Sequence, residues 1–81
     1  MKPEKIYRIG PVSASVFVNE VETENGKRMI RNVSLQRRYR DDQGEWRTSA
    51  SLGLAELPQA ITVLDWALKH VAREEAADQG G

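Results

Sequence analysis

The stretch Val12-Ser13-Ala14-Ser15-Val16-Phe17-Val18-Asn19-Glu20-Val21, with Asn25-Gly26 shortly after it, decides the fold of this 81-residue chain. Its apolar residues alternate, with Val12, Ala14, Val16 and Val18 on one side and Ser13, Ser15, Phe17 and Asn19 on the other. Period-two alternation is the mark of a strand that buries one face only. Asn-Gly is a strong two-residue hairpin signal, so a second strand is predicted to return from about Lys27 to Arg40. There the odd positions Met29, Val33, Leu35 and Tyr39 carry the apolar character. The even ones include Arg28, Asn32, Ser34, Gln36, Arg38 and Arg40.

Outward from this hairpin, Lys5–Ile9 reads as a short leading strand that ends at Gly10-Pro11. Downstream, Asp41-Asp42-Gln43-Gly44 is a turn composition, and Glu45–Leu54 alternates again. In that segment Trp46, Thr48, Ala50, Leu52 and Leu54 share one side and Arg47, Ser49 and Ser51 the other. After Leu54 the period lengthens. Leu57, Ile61, Leu64, Leu68 and Val71 recur at helical spacing, with Pro58 acceptable in a first turn. The expected fold is α+β: an antiparallel, twisted sheet of three to four strands followed by one C-terminal helix. A single domain is expected over residues 1–77, with residues 78–81 as a flexible tail.

Composition narrows the function. Without cysteine, disulfides and thiolate metal sites are excluded, and the one histidine, His70, cannot form a histidine-rich site. No nucleophile–base arrangement is visible, so no catalytic residue, metal or cofactor is expected, and the chain is read as a non-enzyme. Met1–Lys5 has no apolar signal region and no run reaches membrane-spanning length, so the cytoplasm is the expected location, with no membrane or small-molecule partner. Twelve basic and twelve acidic side chains balance overall, but residues 27–47 hold seven basic against three acidic ones. Arginine supplies six of those seven cations, and its planar fork suits phosphate pairing and stacking.

With the apolar parity turned toward the helix, the opposite face presents arginines, hydroxyls and amides around Phe17. That pattern suits single-stranded nucleic acid, because arginine contacts phosphate and an exposed ring stacks on a base. The blander alternative is an ordinary solvated sheet. Residues Phe17, Arg28, Arg38, Tyr39, Arg40 and Arg47 are the candidates for nucleic-acid contact.

The stretch Leu35-Gln36-Arg37-Arg38-Tyr39-Arg40-Asp41-Asp42-Gln43-Gly44-Glu45-Trp46-Arg47, then Ala50-Ser51-Leu52-Gly53-Leu54 and the helix, resembles the transcriptional coactivator family called positive cofactor four. Whirly and PUR proteins share its strand-strand-strand-strand-helix plan. The likeness spans about Val12 to Val71 in element order, with identities concentrated at Asp41, Gly44 and Glu45. It implies a homodimer joined largely through its helices, binding single-stranded DNA, or RNA, along curved sheets in transcription or DNA maintenance. Tyr39 would fill the aromatic position before the turn, and Arg38, Arg40 and Arg47 its basic neighbours. The chain departs from the pattern at Trp46-Arg47-Thr48-Ser49, where the family is rich in lysine and glycine.

A chain this short supports only a thin core, which favours a second copy as reinforcement. Val63, Trp66, Ala67 and His70 extend the apolar arc of the helix and are the expected dimer residues. The alternative for Trp66 is that it folds back over the core edge. The rival function is a homodimeric protein-interaction module that binds no nucleic acid. A modifier-like role for Gly80-Gly81 is disfavoured, because such folds end in a strand rather than a helix.

Overall fold

The computed structural model describes residues 2–79. Four antiparallel strands form one sheet in the order β1-β2-β3-β4: β1 Lys5–Ile9, β2 Val12–Thr23, β3 Gly26–Arg40 and β4 Trp46–Ser49. One helix, α1 Leu57–Gln79, follows and lies across β1, β2 and β3 without touching β4. The architecture is α+β, as the alternating and helical periods require. The helix runs two residues past Ala77, so Asp78 and Gln79 extend it rather than opening a tail. Gly80 and Gly81 lie outside the described residues.

The turns fix which residues share a face. Ile9 pairs with Val12 across Gly10-Pro11, and Thr23 pairs with Gly26 across Glu24-Asn25, one residue earlier than the Asn-Gly signal indicates. Both loops have two residues, so even positions of β2 oppose odd positions of β1 and β3. Tyr7, Ala14 and Leu35 therefore stand on one face, with Val12, Val16 and Val33 beside them. That face meets the helix. Its opposite carries Arg8, Ser13, Ser15, Phe17, Arg28 and Arg38.

β4 departs from the sequence expectation twice. It has four residues instead of ten, and its faces are exchanged. Five residues, Asp41 to Glu45, separate Arg40 from its partner Trp46. A five-residue loop pairs even with even, so Trp46 and Thr48 join Arg40 and Arg38 on the outer face. Arg47 and Ser49 turn to the helix side. Asp41 enforces this length. Its Oδ1 accepts from the backbone N–H groups of Gln43 and Glu45 at 2.9 Å each, and its own N–H donates to the Glu45 carbonyl at 2.9 Å. Gly44, at φ 77°, supplies the left-handed residue that closes the turn.

The helix is rotated relative to its leucine stripe. The buried core is Val12, Ala14 and Val16 from β2 with Ala60, Val63 and Ala67 from α1, and His70 extends it. Leu57, Ile61, Leu64 and Leu68, expected inside, are exposed, whereas Val71 is half-buried against the core. Small residues at 60, 63 and 67 let the helix backbone come close to a sheet face that is itself lined with alanine and valine. A leucine stripe at that contact would hold the two layers apart.

Ion pairing reinforces the rotation. Glu4 accepts two hydrogen bonds from the Arg31 guanidinium, at 2.9 and 3.1 Å, and its Oε1 lies 2.7 Å from His70 Nε2. The bond from Arg31, then that from His70, holds the Glu4 carboxyl at about 2, far below its ordinary 4.5. Glu75 accepts from the Arg31 backbone N–H at 3.3 Å. These contacts draw the His70 side of the helix onto the sheet.

Candidate nucleic-acid interface

The outer face is built by strand alternation alone. β1 contributes Ile6 and Arg8; β2 contributes Ser13, Ser15, Phe17 and Asn19. β3 adds Arg28, opposite Val21 at the far end of β2, then Ile30, Asn32, Ser34, Gln36, Arg38 and Arg40, and β4 adds Trp46 and Thr48. None of the strand residues on this face is acidic, because Glu20 and Glu22 share the parity of the core.

Four of the six residues expected to contact nucleic acid stand here together: Phe17, Arg28, Arg38 and Arg40. Tyr39 and Arg47 do not. They are cross-strand partners on the helix side, where the Arg37 guanidinium lies 4.9 Å from the centre of the Tyr39 ring. Arg47 donates to Asp41 Oδ2 at 2.9 Å. That bond, with the N–H groups of Glu45 and Gln43, pulls the Asp41 carboxyl below its usual value. Arg47 thus braces the turn from Asp41 to Glu45.

Two residues were missed by the sequence reading, Arg8 and Trp46. Trp46 is 56% exposed, and its indole lies 4.5 Å from the Arg38 guanidinium and 5.2 Å from that of Arg40. Cations over an indole face are favourable by ~0.5–1 kcal/mol at such open sites, so the arginines hold the ring upright. Arg8, Gly10, Pro11, Ser13, Arg38 and Trp46 line a pocket of about 280 Å³ at this end of the sheet. For Arg8 the signal was available, since it has the polar parity of β1; for Trp46 it was not, because the turn composition Asp41–Gly44 gives four loop residues and the structure has five.

The two faces differ sharply in how their arginines are compensated. On the helix side, Arg31 meets Glu4, Arg37 meets Glu56 at 3.8 Å and the Ser51 carbonyl at 3.0 Å, and Arg47 meets Asp41. On the outer face Arg8, Arg28, Arg38 and Arg40 have no acidic partner among the described residues. Another cleft, of about 440 Å³, lies on the other side, at the β1 edge among Tyr7, Trp66, Lys69, His70 and Arg73.

The expected dimer residues are also displaced. Val63, Ala67 and His70 are buried within the chain, so they offer a second copy no surface. Trp66 remains partly open and tilts against Tyr7, 6.1 Å between ring centres, which is the folded-back alternative. Among the described residues no group of histidine and carboxylate side chains is placed to hold a metal ion. A scan against protein-family models and searches of curated proteins and of solved structures return no match to this chain.

Proposed function

We propose that this domain binds single-stranded nucleic acid, DNA in the first place, along the outer face of its sheet. The observation that carries the reading is the segregation of arginines. Four uncompensated guanidinium groups share an acid-free face with two aromatic side chains, while three other arginines on the helix side are neutralised. Uncompensated arginine favours a polyanion, and each phosphate contact releases condensed counterions. Trp46 and Phe17 add stacking surfaces that accept any base, which fits a strand whose bases are unpaired. The pocket beside Trp46 gives such a strand a concave seat between Arg8 and Arg38.

The test is fluorescence anisotropy with labelled single-stranded and duplex oligonucleotides. Micromolar or tighter binding, with single strands preferred, is expected. Trp46→Ala removes one stacking platform and weakens single-strand binding by roughly 5- to 150-fold, the equivalent of ~1–3 kcal/mol per base. Its exposed position leaves the fold intact. A flat titration at low salt overturns the reading and leaves a protein-interaction module.

A further inference from the structure

We infer that the cleft at the β1 edge is a binding site for a small aromatic carboxylate, with Tyr7 and Trp66 taking its ring and Arg73 its charge. The site lies on the helix side of the sheet, and the inference does not rest on nucleic-acid binding.

The cleft is made by one flank of α1 standing over an edge strand. Residues 66, 69, 70 and 73 are separated by 3, 1 and 3, so they share about 100° of the helix surface. That flank meets Tyr7, which stands on the inner face of β1. Among the described residues no strand pairs with the other edge of β1, so the space between Tyr7 and the helix opens to solvent. Its volume of about 440 Å³ falls within the ~300–1,000 Å³ of small-molecule pockets. Nothing in the sequence announces this site, because Tyr7 and Trp66 come together only through the fold, from opposite ends of the chain.

Three observations select the ligand. The first is the rings. Trp66 tilts by 54° against Tyr7, 6.1 Å between centres, and Tyr7 meets the His70 imidazole edge-on at 6.3 Å. Trp66 still keeps 41% of its surface open. A further flat ring packs on that open surface by offset stacking or edge contact. The second is charge. Of the basic groups lining the cleft, two are already engaged: Lys69 Nζ lies 2.9 Å from Asp65 Oδ2, and His70 Nε2 lies 2.7 Å from Glu4 Oε1. Arg73 has no acidic partner among the described residues. Lys5, with its Nζ 5.6 Å from the centre of the Tyr7 ring, adds to the positive field beside the cleft. A carboxylate matches the guanidinium fork with two parallel hydrogen bonds. A dianionic phosphate would bring a second negative charge toward Glu4 and Asp65, which adjoin the same lining residues. The third is rigidity. Glu4 ties buried His70 to Arg31, so the floor of the cleft is set before a ligand arrives, and binding does not have to order it.

The test uses indole-3-acetate as the probe and indole-3-acetamide as its neutral counterpart of the same ring and size. The chain has two tryptophans, so the spectrum of Trp46→Phe assigns the Trp66 indole N–H signal in a proton–nitrogen NMR correlation. In the wild type that signal is expected to shift saturably with the acid, with Kd about 1 mM or tighter, as ordinary ligand efficiency gives for a probe of this size. The amide is expected to bind about tenfold more weakly, because it loses the charge-assisted bond. Arg73→Gln should cost the acid about tenfold and leave the amide unchanged; Arg73 is exposed, so the variant keeps its fold. No saturable shift of the Trp66 signal, equal affinity for acid and amide, or unchanged affinity for the acid in Arg73→Gln each overturns the assignment. Displacement of the acid by an oligothymidylate also overturns it, since the cleft would then belong to a nucleic-acid surface. A saturable acid titration stands whether or not the outer face binds an oligonucleotide, so the two readings fail separately.

Discussion

Replacing Arg38 by glutamine separates a phosphate-binding arginine from a structural one. Arg38 lies on the acid-free face, its guanidinium over Trp46 and no carboxylate beside it among the described residues. Four such arginines per chain can each neutralise one phosphate. Single strands give a slope of about −0.7 in log K against log salt for each neutralised phosphate, so the expected slope per chain is about −2.8. Affinity should then fall about 50-fold between 50 and 200 mM salt. With Arg38→Gln the slope drops to about −2.1, and the same salt step costs about 20-fold. Arg47→Gln is the control, since its charge is already spent on Asp41 at 2.9 Å and its side chain faces the helix side. That variant should keep the wild-type slope. Anisotropy with a labelled oligothymidylate at four or more salt concentrations reads both slopes, and thermal melts check that each variant is folded. Equal slopes for Arg38→Gln and wild type, or an equal loss in Arg47→Gln, would refute the division of arginines by sheet face.

Three further outcomes test the scaffold. Glu4 ionises at about 2 in the folded chain against 4.5 ordinarily, so its pairing stabilises the fold fully above about pH 4.5 and the contribution fades as pH falls through 2. Melting temperature measured from pH 6 to pH 2 should fall further for wild type than for Glu4→Gln; parallel curves would deny Glu4 that role. Gly44→Ala places a side chain at φ 77° in otherwise open space, so only backbone strain of ~1–2 kcal/mol should appear in urea unfolding. Val16→Ala removes two methyl groups from a fully buried position and should cost about 1.5 kcal/mol from transfer alone, more with the cavity. A change below about 0.5 kcal/mol would deny Val16 its place in a water-free core, since collapse around the gap removes only the cavity cost.

The sequence was legible wherever a tight turn tied one strand's parity to the next. Gly10-Pro11 and the Glu24–Gly26 turn each leave two residues between paired positions, and the faces of β1, β2 and β3 follow without further information. The hairpin loop lies one residue before the Asn-Gly signal, yet parity survives, because moving a two-residue loop along the chain still opposes even to odd. β4 faces the other way from its hydropathy because Glu45, read as the first strand residue, belongs to the loop. Loop length governs instead, and five residues between Arg40 and Trp46 turn the indole outward despite its apolar surface. The same step carries Arg47 away from the expected interface and into the turn.

The helix was misread for a related reason. Two apolar stripes run along α1, one of leucine and isoleucine at 57, 61, 64 and 68, the other smaller at 60, 63, 67 and 70. Hydropathy ranks the first higher, but contact with a sheet depends on closeness of approach as well as on oiliness. The inner face of β2 offers Val12, Ala14 and Val16, and the matching element is the stripe of alanine and valine. Glu4 adds a long-range pull that no periodicity records, since it binds His70 and Arg31 from the far N-terminus. Once the small stripe is inside, the large one faces outward. The helix side of the sheet thereby gathers the core and the paired arginines, and the outer side carries Arg8, Arg28, Arg38 and Arg40 with Phe17 and Trp46.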